Sequence, residues 1–257
     1  MTPILTFNLE TIPDIAGLRI LHGVNAGVSD AEVAEMAFQV RRQHTGGEVM
    51  QPHLQRIVAI SCVLRLGNHF KVWSLGEVGE GEGSLIQRFF DGIEKYTPQL
   101  VSRNGGNVEL PVLHYRGLIH GVICPRYWEQ GERDRNFQQN NYLNPDHTRH
   151  LDLMNLLAKH TTHVPFDALA QLMGLPAKMG MDSVWAAHQN GQLAEIRHAG
   201  EIKVLNTYLV FTRFQMMRGV LSREAYQQEC DLVRAELQKL NQPHLNEYLA
   251  AWQPPVA

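Results

Sequence analysis

The chain is short of cysteine, of long apolar runs and of net charge, and each shortage removes a class of explanation. Cys62, Cys124 and Cys230 are three in number and far apart in sequence. An odd count argues against a disulfide framework and no spacing is that of a metal-binding motif, so reduced thiols are expected. No segment approaches the roughly 18 apolar residues that a membrane span requires, so no bilayer crossing is expected. Met1-Thr2-Pro3 opens neither a basic n-region nor an apolar h-region, which makes cytoplasmic residence the expectation. The formal net charge of -3 exerts no overall pull on a polyanion. Contact with nucleic acid would have to be local, through side chains such as Arg41, Arg42, Arg126, Arg133 and Arg135, and solvated surface is the plainer reading of scattered arginines. A phosphate loop is lacking as well. Gly76 to Gly83 is rich in glycine and glutamate, has no Gly-Lys-Ser/Thr ending, and would repel phosphate; it reads as a flexible connection. There is no internal repeat.

What is present belongs to an ordinary globular chain, with 44% hydrophobic and 19% charged residues over a length of 257. One large domain spanning 1–257 is expected, with a core over 1–218 and a helical C-terminal extension over 219–257. Ile4-Leu5-Thr6-Phe7 reads as a short strand, and alternation places Asn8 and Glu10 on one face at its end. Helical spacing follows between Asn25 and Arg42, with Ser29-Asp30 as the cap. Arg56 to Arg65 and Phe70 to Leu75 are β-rich runs separated by Gly67-Asn68, the mark of a hairpin. Ser84 to Tyr96 is an amphipathic helix, Leu100-Val101-Ser102 a short buried strand, and Glu109 to His120 a helix. From Ile123 to His147 the chain is polar and irregular, and its aromatics could stack bases or pack onto their own domain, the second reading being favoured. Further helices are expected over Phe166 to Met173, Leu193 to Arg218, and in two pieces split by Pro243 after Ser222. Three strands followed by strand-helix alternation is an α/β pattern, a mixed sheet flanked by helices in RNase H-like order.

Three distant stretches resemble the motifs of the DEDD 3'-5' exonucleases. Phe7-Asn8-Leu9-Glu10-Thr11 is similar to the first, Asn104-Gly105-Gly106-Asn107-Val108-Glu109-Leu110-Pro111 to the second, and His198-Ala199-Gly200-Glu201-Ile202-Lys203-Val204 to the third. His53 to Ile60, His150 to Met154 and Gly180-Met181-Asp182 extend the likeness over most of the chain. It is identified as resembling the predicted exonucleases related to the proofreading domain of B-type DNA polymerases. That resemblance implies hydrolysis of phosphodiesters with two divalent cations held by convergent carboxylates, Mg²⁺ or Mn²⁺ where a member is active.

The departures fall on the chemistry. Asn8 and Glu109 stand where the motifs carry aspartate, Ala199 where they carry tyrosine, and Lys203 where they carry the last aspartate; Glu10 alone is intact. Four carboxylates would bring a charge of -4, whereas Asn8, Glu10, Glu109 and Lys203 together bring -1. Four residues after Ala199 on a helix, Lys203 faces the same way, and its ammonium opposes any cation between Glu10 and Glu109. At roughly 4 Å and an effective dielectric of about 20, one unit charge against another costs about 4 kcal/mol, and a dication about twice that. Lys203 is therefore expected to pair with Glu10 or Glu109 in place of a metal, and no cofactor is expected; Glu10 and Glu109 would be the metal ligands if any were. His198 has the spacing of the general base in a histidine variant of these nucleases, but that role requires an acid at position 203. Asp152 reads as a helix cap. Asn104, Gly105 and Gly106 keep a backbone turn suited to nucleic acid. The expected function is that of an exonuclease-like protein that is catalytically inactive or strongly impaired, with single-stranded nucleic acid as partner, or a protein partner or homo-oligomer instead. The alternatives are an active enzyme with a rearranged site and a purely structural protein.

Overall fold

The computed structural model describes residues 2–159, 161–176 and 183–253. Gly180-Met181-Asp182 lies outside them. Among the described residues the first half runs β1 (Ile4–Pro13), α1 (Ile15–His22), α2 (Asp30–Thr45), β2 (Gln55–Leu66), β3 (His69–Ser74), α3 (Glu82–Tyr96), β4 (Gln99–Ser102) and α4 (Glu109–Ile119). The second half runs α5 (Pro125–Trp128), α6 (Asn136–Gln139), β5 (His150–Asp152), α7 (Leu153–Ala158), α8 (Phe166–Leu172), α9 (Val184–Gln189), α10 (Leu193–Met217), α11 (Arg223–Leu240) and α12 (Pro243–Ala251). The strands form one five-stranded sheet in the order β3-β2-β1-β4-β5. β1, β2 and β3 are antiparallel neighbours, and β4 and β5 continue the sheet parallel to β1. This is an α/β fold of RNase H-like type, a mixed sheet with flanking helices. No helix among the described residues is long and apolar enough to cross a membrane.

Alternation along β1 sorts the two cores. Leu5, Phe7 and Leu9 point to the face covered by α3 and α4, where Phe89, Ile93 and Leu113 are buried. Ile4 belongs to the opposite face, on which α10 lies with Val204, Leu205 and Tyr208. The β1–β2 register slips after Glu10, so that Glu10 pairs with Ala59 and Thr11 with Ile57. Val58 is thus an extra residue, a bulge that turns Ile57 to the α3 side although Ala59 and Val63 face α10. The β2–β3 hairpin closes through Gly67-Asn68, with Gly67 at φ 57°, the positive value needed at the first central position of a type II′ turn.

The helix expected from the spacing between Asn25 and Arg42 is α2, which starts at the Ser29-Asp30 cap as read from the sequence, Ser29 and Glu32 capping each other reciprocally. Sequence periodicity alone did not mark α1, an eight-residue helix capped by Asp14 and stopped by Gly23 in the left-handed region. The stretch Ile123 to His147 contains two one-turn helices, and its aromatics Tyr127, Phe137 and Tyr142 are buried in the core beneath α3. The Tyr142 hydroxyl donates to the Pro98 carbonyl at 2.7 Å, and the Arg149 guanidinium lies 4.0 Å from the Phe137 ring. The glycine-glutamate stretch is tied down in part: Glu82 begins α3, is buried, and accepts from the Ile57 amide at 2.7 Å. Residues of α11 and α12, among them Val233, Leu237, Leu245 and Tyr248, share one core cluster with α10 and the sheet.

Candidate functional site

Strand β1 presents Asn8 and Glu10 toward α10, both buried although both are polar. The helix crosses them closely because position 200 is glycine. A Cβ on Gly200 would stand 2.4 Å from the Ser61 hydroxyl and 3.5 Å from Glu10 Cγ. One turn further along α10, Lys203 reaches the strand. Its Nζ is 2.8 Å from Glu10 Oε1 and 2.9 Å from Oε2, and the Asn8 amide donates to Oε1 at 2.9 Å. Glu10 is 3% exposed, so its charge is stabilised by these two partners rather than by water. An aspartate at position 8 would put a second negative charge where Asn8 offers a donor. The amide and the ammonium are therefore mutually consistent replacements, each satisfying the one carboxylate that is retained.

Glu109 starts α4 after the turn that leaves β4. That turn is fastened from both sides. The Gly105 amide donates to the Ser102 hydroxyl at 3.0 Å, and the Gly106 amide to Asp152 Oδ2 at 2.8 Å. No side chain fits at Gly105, where a Cβ would lie 2.1 Å from Ser102 Oγ and 2.7 Å from His150 Nε2. The Asn104 carbonyl accepts from the Asn107 and Val108 amides. Both glycine amides are thus occupied within the protein, and the turn's geometry serves to aim Glu109. Asp152 ends β5, caps α7 through the Asn155 amide at 3.1 Å and holds the turn with its other oxygen. Glu109 is buried, and its Oε2 has no hydrogen-bond partner among the described residues. Burial raises its pKa to about 7, assisted by the nearby Asp152 charge and opposed by backbone amides and Arg103. The structure joins Asn8, Glu10 and Lys203 directly; Glu109 is not part of that hydrogen-bonded set.

Ala199 is buried and presents only a methyl group. His198 looks away toward α12, where its ring stacks on His244 with centroids 4.0 Å apart and planes 12° from parallel. Burial and the neighbouring His244 hold the His198 pKa below the ordinary histidine value. Next to it runs a buried chain that motif reading did not single out. His244 Nε2 lies 2.9 Å from Glu201 Oε2, Ser74 donates to Glu201 Oε1 at 2.9 Å, and Ser61 and Ser74 hydroxyls are 2.9 Å apart. A second network also escaped the sequence. Arg116, 3% exposed, binds Glu82, Asp14 and the His53 carbonyl, and so locks the chain leaving β1 to α3 and α4. Isolated charges at positions 14, 82 and 116 carry no motif, and nothing in the sequence signals that they meet.

Chemically, the donor set does not fit a pair of dications. A metal at Glu10 would have to displace an ammonium already in contact with both carboxylate oxygens, and Asn8 contributes no charge. Among the described residues, no group of three or more His, Cys, Asp or Glu side chains is arranged to hold a metal ion. The arrangement is instead a buried, internally neutralised polar cluster, with Lys203 30% exposed at its edge.

Residues 47–252 match the sequence profile of a family described as predicted 3'-5' exonuclease related to the exonuclease domain of PolB. The match includes Glu109, Ala199 and Lys203 and begins downstream of Asn8 and Glu10. No curated protein matches the chain.

Proposed function

The chain belongs to the family of predicted 3'-5' exonucleases related to the exonuclease domain of PolB, and from that premise we propose that it is a member without hydrolytic activity that binds single-stranded nucleic acid beside Lys203, where α10 crosses the middle of β1. The observation that carries the first half is the contact of Lys203 with both oxygens of Glu10. Two-metal hydrolysis needs several carboxylates converging on the cations. Here one position is an amide, one carboxylate is neutralised by an ammonium, and Ala199 has no phenol to hold a water.

The same exchange supports binding without metals. A quartet of carboxylates repels a phosphodiester unless cations intervene, whereas Asn8, Glu10 and Lys203 sum to zero. Glu109, with its pKa near 7, adds at most one negative charge. With the repulsion removed, the 30% exposed Lys203 ammonium can share a hydrogen bond with a phosphate oxygen while still paired to Glu10.

A labelled single-stranded oligonucleotide incubated with the protein and Mg²⁺ or Mn²⁺ is expected to stay intact. It is expected to bind with an affinity that falls as salt rises and is unchanged by a chelator. Shortening from the 3' end in Mn²⁺ defeats the proposal. Absence of binding at low salt would transfer the retained fold to a protein partner or a homo-oligomer. Restoring the motif residues together, as Asn8→Asp, Glu109→Asp, Ala199→Tyr and Lys203→Asp, is expected to create micromolar Mn²⁺ affinity. If it does not, the groove differs from an exonuclease site in more than these four side chains.

A further inference from the structure

The helices α1 and α2 are inserted between β1 and β2, and both precede the family match. Between these helices and the segment leading into β2 lies a cavity of about 520 Å³, within the range of small-molecule sites. Its floor is apolar and buried: Leu18 from α1, Val33 from α2, and Met50 and Leu54 from the following segment. Its mouth is apolar as well, since Met36 and Val40 line it and are each 51% exposed. A mouth of this kind covers part of an apolar ligand while leaving one end at the surface.

The polar groups of the lining include one fixed cation and no acid. They are His22, Arg41, His44 and Gln51, with no carboxylate among them. Glu35, on the opposite face of α2, and Glu48, in the segment after it, lie outside the lining and are engaged by Arg42. Arg41 is fixed by its Nε, which donates to the Val49 carbonyl at 2.7 Å, and its two terminal nitrogens have no partner among the described residues. An oriented guanidinium with free terminal donors at the rim of an apolar cavity matches a carboxylate on an apolar chain.

We infer that this cavity is a binding site for a free medium-chain acyl carboxylate, its chain on the Leu18, Val33, Met50 and Leu54 floor and its carboxylate on Arg41. The site does not involve Asn8, Glu10, Glu109 or Lys203, so its fate is separate from that of the proposed nucleic-acid surface.

Calorimetric titration of the full chain with sodium hexanoate, octanoate and decanoate, each below its micelle threshold, tests this. One saturable site is expected, tightening by up to about fourfold per added methylene. Decanol is expected to bind about tenfold more weakly than decanoate, because it lacks the charged hydrogen bond. Arg41→Gln, at the surface, should weaken decanoate about tenfold and leave decanol unchanged. Val40→Glu should also weaken decanoate by placing a like charge at the mouth. Circular dichroism and thermal unfolding confirm that each variant folds, and Arg41→Gln keeps the test decisive if Val40→Glu does not. The inference is overturned if decanoate shows no saturable binding up to about 1 mM, if decanol binds as well as decanoate, or if Arg41→Gln changes nothing. It is equally overturned if the chain self-associates in a manner that buries this cavity and resists decanoate.

Discussion

Glu10 and Glu109 are the same residue type, both withdrawn from water, and they differ in their company. Glu10 has Asn8 and Lys203 on its oxygens, whereas Oε2 of Glu109 has no donor among the described residues. Removing the lysine should therefore expose the cost of burying the first carboxylate. Breaking a fully buried pair costs about 3 to 5 kcal/mol, and Lys203 is 30% exposed, so Lys203→Met should cost roughly 1 to 3 kcal/mol in urea unfolding. Adding Glu10→Gln should return most of that loss. Glu109 behaves in the opposite sense. Its folded pKa of about 7 lies above the ordinary 4.5, so the folded state binds the proton more tightly than the unfolded chain. Stability is then highest below about pH 4.5 as far as this group is concerned, and falls as pH rises toward and through 7. Glu109→Gln should flatten that slope, leaving stability at pH 5 nearly unchanged and raising it at pH 8, by an amount bounded near roughly 3 kcal/mol. A variant with the wild-type slope would show that another group sets it.

At the level of elements, the approach of α10 to the sheet rests on Gly200. In a free helix, glycine to alanine stabilises by about 1 kcal/mol. Here the added Cβ meets the Ser61 hydroxyl at 2.4 Å, and that hydroxyl is held by Ser74, so the helix has to lift or a buried hydrogen bond has to break. Overpacking of this kind costs about 1 to 3 kcal/mol, which exceeds the propensity gain. Gly200→Ala should therefore destabilise, and Ser61→Ala in the same chain should recover part of the loss; a stabilised Gly200→Ala would mean a looser contact. The elements that were legible beforehand had local signatures: alternation along β1, the Gly67-Asn68 turn, the apolar stripe of α3, the Pro243 break between α11 and α12. The illegible parts depend on distant partners. Lys203 and Glu10 are 193 positions apart, and helical spacing gave the lysine's direction without choosing between Glu10 and Glu109. The Val58 bulge reverses the facing of Ile57, which no strand pattern announces. Asp14 and Gly23 did bracket α1, but eight residues with one buried apolar side chain make a weak periodic signal.

Across the whole molecule, a core cluster continues past residue 218, the expected end of the core. Helices α11 and α12 place Val233, Leu237, Leu245 and Tyr248 at 0 to 1% exposure against α10. Burying each such side chain contributes about 1.5 to 3 kcal/mol, so these four contribute on the order of 6 to 12 kcal/mol, as much as the whole stability of an ordinary domain. Polar bonds cross the same boundary. Glu229 binds Arg65 of β2 with both oxygens and accepts from Tyr208. His244 binds Glu201, and Tyr248 donates to Asn206 at 2.7 Å. Cutting the chain after Arg218 would strip one face of α10 and leave the carboxylate of Glu201 and the amide oxygen of Asn206 without these partners. The 1–218 fragment should lose its cooperative urea transition while keeping helical circular dichroism, and should bind a hydrophobic dye. Since Lys203 is carried by the same helix, its hold on Glu10 should fail with it, so the fragment should also lose salt-sensitive oligonucleotide binding. A fragment that unfolds cooperatively as a monomer would show that the last two helices are an appendage and that the sheet and α10 position Lys203 unaided.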